Sequence, residues 1–415
     1  MLPSVKNAIA VGSLSVVAYL SGCAGDSGGS SSSQNVAEDF DFTAMFANYA
    51  DNIIIPNYES LKSAADNLAD EQGPLGQYCA GIGSANEASL FTSAELAWHQ
   101  VQSSIQHSES HVLGPVADNG AALRARLSAY HVGELSACGI DQGVVLNAQS
   151  SNFDVTTRTV TQRGIGAVEY LLFNTDLTHN CPSQIAETAD WDQRSTTERQ
   201  TLRCDYALTL AKDIAVAADE ILTAWSMDGG NYRSEFINPL NDAENLTALS
   251  DAMFFMEIDV KDAKLGIPTG INDACSEIAC PDQVESPYSQ SSLANIADNL
   301  SAFQTMMTGA DGLGFDDIIS QAGVASLNQQ FVDNIQAALA SIQTQPASLY
   351  SQATGLVTED DETDCTNSYT NPTTTTLVPA CSLFGLVKLI TDDLKVGFIA
   401  AVDVDLPDRS QSDND

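Results

Sequence analysis

Leu202-Arg203-Cys204-Asp205-Tyr206-Ala207-Leu208-Thr209-Leu210-Ala211-Lys212-Asp213-Ile214-Ala215-Val216-Ala217-Ala218-Asp219-Glu220-Ile221-Leu222-Thr223-Ala224-Trp225 is the stretch that decides the fold. Its apolar residues Leu202, Tyr206, Leu210, Ile214, Ala217, Ile221 and Trp225 recur at steps of four, four, four, three, four and four. That is one face of a helix of about six turns, and Gly229-Gly230 ends it. Working outward, the same spacing appears in Phe42, Phe46, Tyr49 and Ile53, and in Leu90, Ala94, Ala97, Val101 and Ile105. It returns in Leu246, Leu249, Met253, Met256 and Val260, in Leu293, Ile296, Leu300, Phe303 and Met307, in Phe331, Ile335, Leu339 and Ile342, and in Leu386, Ile390, Leu394 and Phe398. No run alternates with period two over a useful length, so the spacing predicts an all-α protein. Pro56 is expected to kink or restart the first helix, Gly114-Pro115 to stop the second, and Gly133, Gly139 and Gly143 to break the stretch between Leu123 and Val160. Glu359 to Asp364 reads as a solvated acidic loop, because it lacks the alternation and the glycine of a calcium-binding loop.

The 415 residues suffice for two or three domains. With 16 basic against 55 acidic residues the formal net charge is −39. Nucleic acids and anionic membrane surfaces would be repelled, which excludes them as partners and leaves cations as natural counterparts. Acidity spread over a whole surface also serves solubility in a salty habitat.

The first 22 residues have the form of an export signal, with Lys6 followed by an apolar stretch from Ala8 to Leu20 that is too short to span a bilayer. Leu20-Ser21-Gly22-Cys23 resembles the lipobox of bacterial lipoproteins, whose cysteine is acylated and becomes the first mature residue. Ala24, rather than an aspartate, then favours the outer membrane, so residues 1–22 are expected to be a signal and the chain to be lipid-anchored through Cys23. Residues 23–38 are rich in Gly, Ser and Asp and read as a tether. Removing Cys23 leaves eight cysteines, an even number that in an exported chain implies disulfides. Local pairing would join Cys181 to Cys204, Cys275 to Cys280 and Cys365 to Cys381, leaving Cys79 to Cys138. A zinc site is the alternative, but no C-x-x-C pair is present.

The segment richest in chemistry is Gln162-Arg163-Gly164-Ile165-Gly166-Ala167-Val168-Glu169-Tyr170-Leu171-Leu172-Phe173. Glu169 is its only carboxylate and lies among apolar neighbours, where it needs a partner such as Arg163 or a bound cation. The helix predicted over about Ser89 to Val112 carries His99, His107 and His111; the last two are four apart and can share a helical face. Without the glutamate of H-E-x-x-H, that pair lacks the base of a metalloprotease. Arg158 and Arg163 flank the acidic segment and suit either internal pairing or an anion.

Taken together these segments resemble the imelysin family, bacterial cell-envelope proteins that have also been regarded as metallopeptidases. The family signature is G-x-H-x-x-E followed by an apolar run; here Gly164 and Glu169 are in register and Gly166 stands where the histidine is expected. Asn48 to Tyr58, Trp98 with Glu109 and Gly114-Pro115, Lys264 to Pro268, Glu285 to Ser289, Thr391 to Leu394 and the closing Ser412 to Asp415 are similar to family segments in the same order. The resemblance implies two adjacent helical bundles, here 39–185 and 186–405, followed by an acidic tail over 406–415. It implies a role in envelope iron uptake, with iron or another divalent metal as the cofactor, free or chelated, and iron-transport components as partners. The expected site gathers Glu169, Glu109, His111 and His107 as metal ligands, with Arg163 as an anion contact and Trp98 against the ligand. Loss of the signature histidine favours binding over catalysis. A metallopeptidase with a rearranged site and a structural lipoprotein without ligand are the alternatives.

Overall fold

The computed structural model describes residues 40–411. The segments expected to be a signal peptide, an acylated Cys23 and a tether, and the last four residues of the chain, lie outside the described residues. In chain order the helices are α1 (Phe42–Tyr49), α2 (Ile55–Ala69), α3 (Pro74–Gly81), α4 (Glu87–Ser108), α5 (Asp118–Leu127), α6 (Ala137–Gln149), α7 (Ile165–Phe173), α8 (Thr196–Trp225), α9 (Tyr232–Phe236) and α10 (Asp242–Met253). After a π-helix over Met256–Gly266 come α11 (Ser292–Thr308), α12 (Phe315–Gln321), α13 (Ser326–Gln343), α14 (Leu349–Thr354), α15 (Glu359–Thr370), α16 (Pro379–Asp393), α17 (Ile399–Val402) and α18 (Asp408–Gln411). The described residues contain no strand, so the all-α reading holds.

Helix α8 is the long helix that its apolar spacing requires. Ser195 caps it by accepting the Glu198 N–H at 3.2 Å, and every member of the predicted stripe from Tyr206 to Trp225 is buried. That stripe packs on α2, and α2 in turn packs on α4; α3, α5, α6 and α7 also lie against α8. Helix α4 continues the core towards α11, which meets α13 and the π-helix, while α16 covers α13 and the π-helix from the other side. Residues 40–411 belong to one compact unit, and one cluster of buried apolar residues runs through it from Met45 to Val402. No helix among the described residues is long and apolar enough to cross a membrane.

Pro56 sits where the helix restarts, as one of the two expected outcomes had it. A π-helical stretch over Ala50–Ile54 joins α1 to α2, and Pro56 falls in the first turn of α2, where a missing N–H leaves no bond unmade. Gly139 and Gly143, expected as breaks, lie inside α6. There they let the backbone approach the side chains of Gln162 and Tyr206, which a Cβ would strike. Glu359 to Asp364 is likewise not a loop but the start of α15. The Thr358 hydroxyl accepts the Asp361 N–H while Asp361 reaches back to the Thr358 N–H, and four acidic residues in the first turn suit the positive end of the helix.

Two of the four expected disulfides are wrong. Cys275–Cys280 and Cys365–Cys381 form as local pairs, but Cys79 bonds Cys204 and Cys138 bonds Cys181, with Cα separations of 5.4 and 4.5 Å. The reason is tertiary: α3 lies beside the start of α8, bringing together cysteines 125 residues apart.

Candidate functional site

Helix α7 begins at a backbone turn that only glycine adopts without strain. Gly164 has φ 79°, and a Cβ there would come within 2.9 Å of the Leu127 carbonyl oxygen. Gly166 is different: its φ is ordinary, and a Cβ would meet only Leu135 Cδ1 at 3.7 Å. Three residues on, Glu169 is on the same face of the helix, 2% exposed. Gly166 and Glu169 both line a cleft of about 530 Å³, whose walls also include Tyr130, Arg163, Glu285, Tyr288 and Tyr350.

The wall facing Glu169 is the turn between the π-helix and α11. Tyr288 N–H and Ser289 N–H donate to Glu169 Oε1 at 3.0 and 2.7 Å, and the Ser289 hydroxyl donates to the same oxygen at 2.9 Å. Ser286 and Gln290, on either side, hold φ at 55° and 62°, a conformation that non-glycine residues rarely adopt. The turn thereby presents successive N–H groups to one acceptor. Burial pushes the Glu169 carboxyl up to about 7, against the pull of the three hydrogen bonds, and Glu285 adds to the rise.

Glu285, four residues before Ser289, enters a buried charge network. Its carboxylate accepts from Gln106 Nε2 and Asn295 Nδ2, each at 3.0 Å, and lies 3.3 Å from Lys264 Nζ. Lys264 also donates to Glu109 at 2.7 Å, to Asn299 at 2.8 Å and to Gln106. Burial pulls the Lys264 ammonium down, but Glu109 and Glu285 outweigh it and the net shift is upward. Arg124 sits 3.6 Å from Glu109 and 3.0 Å from Asp259. Each charge here has an opposite neighbour, as burial of ions demands.

A sequence profile described as Imelysin matches residues 54–371. The chain belongs to the imelysin family. Among curated proteins none matches it. An imelysin-like protein from Psychrobacter arcticum 273-4 is similar in structure at a TM-score of 0.62 and 14% identity, over 88% of this chain and 96% of that one. A candidate iron-regulated protein A precursor from Parabacteroides distasonis ATCC 8503 is similar at a TM-score of 0.55 and 14% identity, over 85% of this chain and 95% of that one. At such identities the likeness establishes an imelysin-like fold.

Within this imelysin fold the expected site residues do not come together. Glu169 and Arg163 share the cleft, but the Arg163 guanidinium is engaged by Asp213 at 3.1 Å and by the Val155 carbonyl at 3.2 Å, so it neither pairs with Glu169 nor stands ready for an anion. Glu109 faces Lys264, which links it to Glu285 at the cleft. His111 is fully buried with its ring edge-on to Tyr58 and Nδ1 3.1 Å from Ser110 Oγ; burial pushes it down to about 3, and it is neutral. His107 Nε2 lies 3.9 Å from Asp298, on the partly exposed side of α4. Trp98 is buried and its indole N–H donates to the Ile165 carbonyl at 3.1 Å, which clamps α4 to α7 and takes it out of ligand contact. Among the described residues no group of three or more His, Cys, Asp or Glu side chains is placed to hold a metal ion. The sequence reading missed Lys264, Glu285, Tyr288 and Tyr350; the serine-rich run Glu285 to Ser289 was visible, but nothing in its spacing pointed towards Glu169.

Proposed function

We propose that this imelysin-family protein is a non-catalytic binding protein of the bacterial envelope that takes up its metal in chelated form, in the cleft at Glu169. The observation that carries this reading is the donor set: the cleft has the volume of a small-ligand site, yet among the described residues it gathers no cluster of metal ligands, and the buried Glu169 in its wall has three hydrogen bonds on Oε1 and none on Oε2. A chelate brings its own donors and needs only shape, hydrogen bonds and charge from the protein. The similarity to a candidate iron-regulated protein agrees with iron as the metal. Acylation at Cys23 would anchor the protein to the outer membrane, within reach of iron-transport components of the envelope.

The test is calorimetric titration of the full chain with free ferrous ion and with ferric chelates of differing charge. Uptake of a chelate in preference to the free ion supports the reading. Tight stoichiometric binding of free ferrous ion, or no binding of any chelate, overturns it.

One observation favours a second reading, hydrolysis: a carboxyl group that titrates near neutrality can serve as a general base. That reading requires peptide cleavage that disappears in Glu169→Ala and in the presence of a chelator.

A further inference from the structure

We propose that the cleft recognises its ligand through a positively charged group bearing N–H donors, an ammonium or guanidinium, seated against Glu169. The proposal rests on the cleft being a ligand site and specifies which chemistry it reads. Three hydrogen bonds converge on Glu169 Oε1, while Oε2 accepts none among the described residues. Among the described residues no basic side chain forms an ion pair with this carboxyl group. Arg163 is engaged by Asp213, Lys264 by Glu109 and Glu285, and Arg124 by Asp259 and Glu109. At the mouth, Glu134 and Asp282 are exposed and line the same cleft, so the field in the opening attracts cations.

The alternatives fit less well. An anion would meet Glu169, Glu134 and Asp282 with no disengaged cation to receive it. A bare metal ion, which needs several donors at fixed geometry, would find one carboxylate oxygen at the base of the cleft. An ammonium has three donors and is satisfied by one carboxylate oxygen together with neutral acceptors. Tyr288 and Tyr350 line the cleft as well, and aromatic rings with phenol oxygens suit a cation.

The experiment compares three probes by calorimetry on the full chain: ferrioxamine B, a ferric chelate with a free ammonium arm; the same chelate N-acetylated at that arm; and metal-free 1,5-diaminopentane. The expected result is that acetylation weakens binding at least about tenfold, as for a lost charge-assisted hydrogen bond, and that diaminopentane competes. Glu169→Gln, which keeps an acceptor for Tyr288 and Ser289, should erase the difference between the two chelates. The exposed pair Glu134→Gln/Asp282→Asn provides a second check away from the buried carboxyl group: ammonium binding should weaken severalfold at low salt and hardly at all at high salt. Equal binding of the two chelates would overturn the proposal while leaving chelate binding intact. Binding of diaminopentane that requires Glu169, with neither chelate bound, would support the proposal and remove the chelate reading. If none of the three binds, both fall.

Discussion

Ser289 and Glu169 meet across the cleft: the Ser289 N–H donates to Glu169 Oε1 at 2.7 Å and its hydroxyl donates to the same atom at 2.9 Å. This contact joins the N-terminal signature helix to the turn before α11, and it places an uncompensated carboxyl group where a ligand can reach it.

Its first consequence is a pH dependence. Glu169 has an ordinary value of 4.5 and is pushed up to about 7 in the folded protein, so the folded state holds the proton more tightly than the unfolded one. The resulting stabilisation is fully present below the unfolded value and is lost as pH rises through the folded one. Neutral Glu169→Gln should therefore match the parent near pH 4 and exceed its stability by up to about 3 kcal/mol at pH 8. Denaturant titrations at the two pH values measure this; a variant that loses stability at pH 8 would count against an uncompensated carboxyl group.

The two signature glycines should respond in opposite ways. Gly164→Ala forces a side chain into positive φ and against the Leu127 carbonyl, and should cost about 1–3 kcal/mol. Gly166→Ala meets only Leu135 and lies within a helix, so it should leave stability unchanged or raise it by up to about 1 kcal/mol. Thermal unfolding of the two variants side by side gives the comparison.

Lys264 holds two buried carboxylates, Glu109 at 2.7 Å and Glu285 at 3.3 Å. Lys264→Met should destabilise the fold by about 3–5 kcal/mol by leaving Glu285 without its cation and Glu109 with only the more distant Arg124, and a loss below about 1 kcal/mol would mean the network is not closed as described. Denaturant midpoints report it.

Trp98→Phe keeps most of the ring's packing and removes one hydrogen bond, to the Ile165 carbonyl at 3.1 Å. The expected loss is about 1 kcal/mol, with faster hydrogen exchange in α7 as the local signature; unchanged exchange there would deny Trp98 its clamping role.

Peptide mapping without reduction should recover Cys79 linked to Cys204 and Cys138 linked to Cys181. Replacing Cys79 and Cys204 together by serine should cost about 2–5 kcal/mol. Recovery of Cys181 linked to Cys204 would contradict the packing of α3 on α8.

What the sequence determined by itself was the all-α class, the long helix from Leu202 to Trp225 and the family segments in their order. Helical periodicity is a local property, written every three or four residues, so it is legible without the fold. Glu169 was also legible, because a carboxylate in an apolar run is conspicuous. Its partner was not: Ser289 is 120 residues away and donates through its backbone as well as its hydroxyl, and backbone donors carry no sequence signal. His111 and Glu109, adjacent to one another in chemistry on paper, part company because one turns into the core against Tyr58 and the other into the Lys264 network. The pairing of Cys79 with Cys204 follows the same logic. Which charges meet, which cysteines join and which carboxyl group is left to face the cleft depend on how helices far apart in the chain pack, and only the tertiary structure decided them.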